Sequence, residues 1–116
     1  MIIKVFEKDE HICTVTITDD KRILVENYSG KINFYVPYIT RNDKVYEIDY
    51  PTLDKFLESR CFSRHRVDLD ELLKKYGLKY YSPMGICRKS HGIKVTDFTW
   101  MSFDDERLRW DDVRIK

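Results

Sequence analysis

Residues 11–18 read HICTVTIT. Cys13, Val15 and Ile17 point to one side of an extended chain, and Ile12, Thr14 and Thr16 to the other. A period of two with β-branched residues is the pattern of a strand, and it is incompatible with a helical stripe. Around it the same character continues. IIKVFEK precedes it, with the polar step EKDE as a hairpin turn, and TDDK leads into RILVENY. These segments predict an antiparallel meander. The following SGKINFYVPYITRNDKVYEIDY is rich in aromatic and β-branched residues. There TRND predicts a turn between two short strands, and Pro37 argues against a central strand because proline has no amide to donate.

After residue 50 the spacing becomes helical. Pro51 suits a first helical position, and Leu53, Phe56 and Leu57 form an apolar stripe at i, i+3 and i+4. The pattern breaks around Arg60. A second helix is predicted from about Ser63 or Val67 to Tyr76, with Leu69, Leu72, Leu73 and Tyr76 as its buried face and Gly77 as its stop. Ser82 and Pro83 cap and start a third, short helix that ends near Gly92. FTWMSF reads as a strand, and LRWDDVRI as a closing strand or a turn of helix. The expectation is one α+β domain over 1–116: mainly strands in 1–50, mainly helices in 51–92, and a strand with a closing turn in 93–116. It comprises an N-terminal antiparallel β-meander, two to three short helices, and one or two C-terminal strands. No repeat, low-complexity segment or linker interrupts it.

Composition narrows the function classes. A chain of 116 residues with 42% hydrophobic content can bury roughly two-thirds of its unfolded surface without a disulfide or metal staple. Lys and Arg total 21 against 20 Asp and Glu, a net charge of +1. No global basic field draws the chain to nucleic acid, so such binding would need a local patch. The three cysteines, Cys13, Cys61 and Cys87, fit a reducing cytoplasm better than a disulfide framework. Met1 to Phe6 is followed at once by EKDEH, so no secretory signal is expected, and no apolar run reaches bilayer-spanning length.

The densest polar cluster is Glu58 to Arg66, ESRCFSRHR. Cys61 and His65 are four apart, as are Cys87 and His91, and His11 and Cys13 are two apart. Two such pairs would suffice for a tetrahedral metal site. The short Cys-x-x-Cys knuckle is absent, and Cys61–His65 straddles the predicted helix break, so no metal and no cofactor are expected. Arginines beside Cys61 would favour a thiolate. No third group orients a Cys–His pair, however, and Cys61 is expected as a small buried hydrophobe. Arg60, Arg64 and Arg66 either grip a phosphate or a partner carboxylate, or pair internally with Glu58, Asp68, Asp70 and Glu71. Asp97-Phe98 lacks the glycine of a kinase Asp-Phe-Gly, and no Walker, Gly-rich or dinucleotide motif is present. Asp104, Asp105, Asp111 and Asp112 lack calcium-loop spacing. The chain reads as a non-enzyme. Trp100 and Trp110, with Tyr80 and Tyr81, are candidates for the core or for interface anchors.

The second half resembles a known pattern. FLESRCFSRHRVDLDELLKKYGLKYYSPMGICRKSHGIKVTDFTWMSFDDE is similar to a segment of small Firmicutes and mobile-element proteins, and to the N-terminal accessory region of HipA-like kinases. The matching residues are Arg60, Phe62 and Arg64, then Gly77-Leu78, Pro83, Gly92, Asp97 and Trp100. The resemblance covers roughly Leu53 to Glu106, just under half of the chain. Ser63 stands where the pattern usually has proline, and a serine there is expected to cap the following helix.

The resemblance implies a detached accessory module that binds and restrains a HipA-like kinase, as in tripartite toxin–antitoxin systems. In that reading Phe62, Trp100 and Trp110 are core or interface anchors. Arg60, Arg64 and Arg66 orient the helix corner and pair with acidic groups on either chain. The alternative expectation is a mobile-element protein that binds nucleic acid, or a nucleic-acid enzyme, through the basic corner.

Overall fold

The protein is described by a computed structural model over residues 1–28 and 45–115. The meander forms as the alternation predicts. Strands β1 (Ile2–Glu7), β2 (Glu10–Ile17), β3 (Ile23–Asn27) and β4 (Val45–Ile48) follow one another, and β5 (Thr99–Phe103) returns much later in the chain. The sheet order is β4-β3-β2-β1-β5, and every neighbouring pair is antiparallel. Glu7 pairs with Glu10, so Lys8 and Asp9 make the first turn, with Lys8 at φ 52°. The second turn is the expected TDDK: the Thr18 hydroxyl accepts from the Arg22 amide at 3.0 Å. The expected turn at TRND and the role of Pro37 lie outside the described residues.

The alternation gives way at one point. Val5 pairs with Cys13 but Phe6 pairs with His11, so Ile12 is an extra residue in β2. This bulge breaks the strict two-residue period. Ile12 and Cys13 are therefore both buried, at 1% and 0% exposure, although they are sequence neighbours.

Helix α1 (Tyr50–Ser59) starts where Asp49 caps it: its carboxylate accepts from the Thr52 amide at 2.9 Å, and Pro51 sits in the first turn. Leu53 and Leu57 bury fully against the sheet, a contribution of about 1.5–3 kcal/mol each. Helix α2 (Leu69–Lys75) is shorter than predicted, and Gly77 ends it at φ 71°. Helix α3 (Pro83–Ser90) has the expected Ser82 cap, whose hydroxyl accepts from the Gly85 amide at 3.1 Å. The closing LRWDDVRI segment is helical rather than extended, as α4 (Trp110–Val113). There the Asp112 carboxylate accepts from the Arg109 amide at 2.8 Å.

The two faces of the sheet differ. Residues directly opposite one another on paired strands share a face. Ile3, Val5, Val15, Val25, Met101 and Phe103 pack with Leu53, Leu57 and Cys87 into the main core. On the other face Trp100 stacks on Phe6 at 4.5 Å, and Phe6 on His11 at 4.9 Å. His11 meets Tyr28 edge-on at 5.0 Å. No helix among the described residues is long and apolar enough to cross a membrane.

Candidate functional site

The break at Arg60 is a corner with a buried cation in it. Arg60 is the C-cap of α1, and its side chain is only 9% exposed. A guanidinium taken out of water must satisfy its N–H groups within the protein. Nε donates to the Gly92 carbonyl at 2.9 Å, and one terminal nitrogen donates to the Thr99 carbonyl at 2.9 Å. The two terminal nitrogens hold Asp97 bidentately at 2.7 and 2.8 Å. Asp97 also accepts from the Thr99 amide at 3.1 Å. The Arg60 hydrogen bonds hold its carboxyl below the usual carboxylate range. A single side chain thus anchors both ends of the segment 92–99. Gly92 makes this possible: at φ 66°, a Cβ there would lie 2.8 Å from Met101 Cε and 3.4 Å from Arg60 Cβ.

Beyond Arg60 the corner is held by rings. Phe62 is half-buried, 5.5 Å from the Tyr76 ring and 6.1 Å from Tyr81. The Tyr81 hydroxyl donates to the Phe62 carbonyl at 2.7 Å. Arg64 lies over the Tyr81 ring at 4.8 Å and pairs with Glu58 at 3.1 Å. Arg66 holds Asp68 with bonds of 2.9 and 3.1 Å. All three arginines therefore have internal acidic partners, and two of those partners, Glu58 and Asp68, were visible as sequence neighbours. The capping role expected of Ser63 is corrected. Its hydroxyl accepts from the His65 amide at 3.1 Å, within the corner itself, and α2 begins only at Leu69.

The cysteines and histidines separate by type. Cys61 and Cys87 bring their sulfurs to 3.6 Å. His65 is exposed, and His91 points to Glu106 at 3.0 Å. Among the described residues no three metal-ligating side chains gather. The Cys87 thiol, hydrogen-bonded to Cys61, lowers the Cys61 pKa, and the same contact together with burial pushes Cys87 up. Burial alone pushes Cys13 up to about 12.

Two clefts flank the clamped segment. The larger, about 370 Å³, is lined by Cys61, Phe62, Leu72, Tyr76, Ile93 and Val95, with Arg66 and Lys94 also on its wall. The smaller, about 110 Å³, lies between Ile93, Val95, Phe98, Trp110 and Ile115. Ile93 to Val95 belong to both, so the two form a continuous apolar strip. Val95 is 83% exposed and Phe98 is 52% exposed. Phe98 meets Trp110 edge-on at 5.8 Å and lies under the Lys8 ammonium at 4.6 Å.

The residues singled out in the sequence thus divide. Phe62, Arg66 and Trp110 border the strip, and Arg64 packs behind Phe62 on Tyr81. Arg60 sits at its base, and Trp100 is fully buried, with its indole N–H donating to the Lys8 carbonyl at 2.6 Å. Sequence reasoning missed Val95 and Phe98 as surface residues and Asp97 as their anchor. The available signal was IKVTDF after a glycine, where Ile93, Val95 and Phe98 are single apolar residues set among polar ones.

Fold and site together define an α+β module: one antiparallel sheet, helices packed on it, and an apolar strip held by a buried arginine. No family model, curated protein or solved structure matches the chain.

Proposed function

We propose that this protein is a non-enzymatic interaction module that binds a HipA-like kinase and regulates it in the manner of an antitoxin. The carrying observation is the strip itself. Val95 and Phe98 stand out from a chain that is 35% charged, on a segment pinned at both ends by Arg60. Exposed large apolar side chains grouped in one place mark interaction surfaces. A loop fixed before binding loses little entropy when a partner seats on it. Trp110 and Phe62 supply the aromatic anchors, and Lys94 supplies a cation at the edge for an acidic group of the partner. The partner class comes from the resemblance in Arg60, Phe62, Arg64, Gly92, Asp97 and Trp100.

The nucleic-acid alternative is the weaker reading because of where the arginines go. Arg64 and Arg66 already hold Glu58 and Asp68, and Arg60 is inside. Phosphate binding would have to break those pairs. The test is titration calorimetry with a purified HipA-like kinase. Phe98→Ala and Val95→Asp should each weaken binding about tenfold or more while leaving the melting temperature near wild type. Unchanged affinity in both variants would sink the surface assignment. A steep fall of DNA or RNA affinity with salt, in place of kinase binding, would establish the alternative.

A further inference from the structure

The paired cysteines carry an inference that does not depend on a kinase partner, although Cys61 lines the larger cleft of the strip. We propose that Cys61 and Cys87 form a peroxide-oxidisable dithiol, which closes to a disulfide and ties the end of α1 to α3. The sulfurs are already in van der Waals contact at 3.6 Å, and both also approach the Leu57 carbonyl, at 3.1 and 3.4 Å. A disulfide needs about 2.05 Å, so the remaining approach is about 1.5 Å, between Cys61 just past the C-cap of α1 and Cys87 within α3.

The two thiols differ in the way a reactive and a resolving cysteine must. Cys61 lines the larger cleft and is half-buried, so a small oxidant can reach it. Cys87 is 0% exposed and can react only with a neighbour already beside it. Cys61 is the thiol that ionises more readily, because Cys87 can donate its S–H to the Cys61 sulfur 3.6 Å away, which outweighs burial and the nearby Glu58 and Asp54 carboxylates. Cys13 is also 0% exposed, and burial raises its pKa. It serves as an internal control.

The chemistry balances with hydrogen peroxide as oxidant. The Cys61 thiolate attacks one peroxide oxygen and breaks the O–O bond. It becomes a sulfenic acid, and the departing hydroxide takes a proton to leave as water. The Cys87 sulfur then attacks the Cys61 sulfur. An S–S bond forms, the S–OH bond breaks, and the hydroxide leaves as water with the Cys87 proton. Two thiols and one peroxide give one disulfide and two waters. The new bond spans a sequence separation of 26 residues that includes the corner and α2. It should therefore stabilise the fold by restricting the unfolded chain.

The experiment is peroxide treatment of the full chain, followed by alkylation, trypsin cleavage and mass spectrometry. Cleavage after Lys and Arg places Cys13 in residues 9–21, Cys61 in 61–64 and Cys87 in 80–88, so the three are read separately. The expected product links 61–64 to 80–88 within one chain and leaves Cys13 alkylated. The melting temperature should rise by roughly 5–15 °C and return with dithiothreitol. In Cys87→Ser, dimedone should trap Cys61 as the sulfenic acid. In Cys61→Ser, Cys87 should stay reduced. Over-oxidised Cys61 beside free Cys87 in the wild type would overturn the proposal. A Cys61 disulfide between two chains would overturn it equally.

Discussion

Arg60 reaches 37 residues along the chain to hold both oxygens of Asp97, at 2.7 and 2.8 Å. The guanidinium is 9% exposed and its carboxylate partner 39%. The pair is therefore asymmetric: the cation depends on the protein, whereas the anion keeps contact with water.

That asymmetry sets the cost of substitution. Arg60→Lys keeps the charge but cannot reproduce the fork to Asp97 or the bonds to the Gly92 and Thr99 carbonyls. It should destabilise the protein by about 1–3 kcal/mol in urea unfolding. Hydrogen exchange should rise in residues 92–99 more than in β1 to β3. A variant as stable as wild type would show that the segment does not need its clamp.

The same pair makes a prediction in acid. Asp97 titrates below its ordinary value of about 3.9 because Arg60 is bonded to it. A carboxyl depressed in the folded state adds stability above its unfolded pKa and loses it as pH falls through the folded pKa. The wild type should therefore lose this contribution below about pH 4. Asp97→Asn should be less stable at neutral pH by about 1 kcal/mol, a value discounted for the water-facing side of the carboxylate. The difference should shrink toward pH 2 in parallel urea titrations.

Two glycines allow backbone strain to be separated from packing. Gly77 and Gly92 have similar φ, 71° and 66°, but a Cβ at Gly77 meets nothing within 4 Å, whereas one at Gly92 meets Met101 at 2.8 Å. Gly77→Ala should cost about 1 kcal/mol, the cost of the left-handed backbone alone. Gly92→Ala should cost up to about 1 kcal/mol more, because the atom it meets is the flexible end of Met101, which must shift within a fully buried site. Equal costs in thermal unfolding would remove the packing argument.

Trp100 and Trp110 should be distinguishable by fluorescence. Trp100 is fully buried and Trp110 half-buried, so Trp110→Phe should leave a blue-shifted spectrum and Trp100→Phe a redder one. Trp100→Phe also removes the 2.6 Å bond to the Lys8 carbonyl and should cost about 1–3 kcal/mol. Trp110→Phe should cost less than half of that in urea unfolding.

Most elements were legible because their signals are local. The alternation in HICTVTIT specifies a strand, and Pro51 and Ser82-Pro83 each mark a helix start whose backbone needs no distant partner. Where the local signal was weak, the reading erred. Ser63 had the chemistry of a cap, but the chain turned once more before α2 formed, and the hydroxyl satisfied the nearby His65 amide. The bulge at Ile12 was likewise hidden, because it depends on the pairing of β2 with β1 and not on either strand alone.

By itself, then, the sequence determined the α+β class, the meander, the starts of α1 and α3 and the presence of a cationic corner. Only the tertiary structure decided what the corner does. Arg60 could have faced solvent like Arg64 and Arg66. Its burial follows from the docking of β5 beside β1, which brings Thr99 and the preceding Asp97 under α1. The same packing of α1 on α3 puts Cys61 against Cys87. Such contacts join residues tens of positions apart, and no periodicity along the chain encodes them. They arise when separate apolar faces share one core, and the polar groups caught between those faces must then find one another.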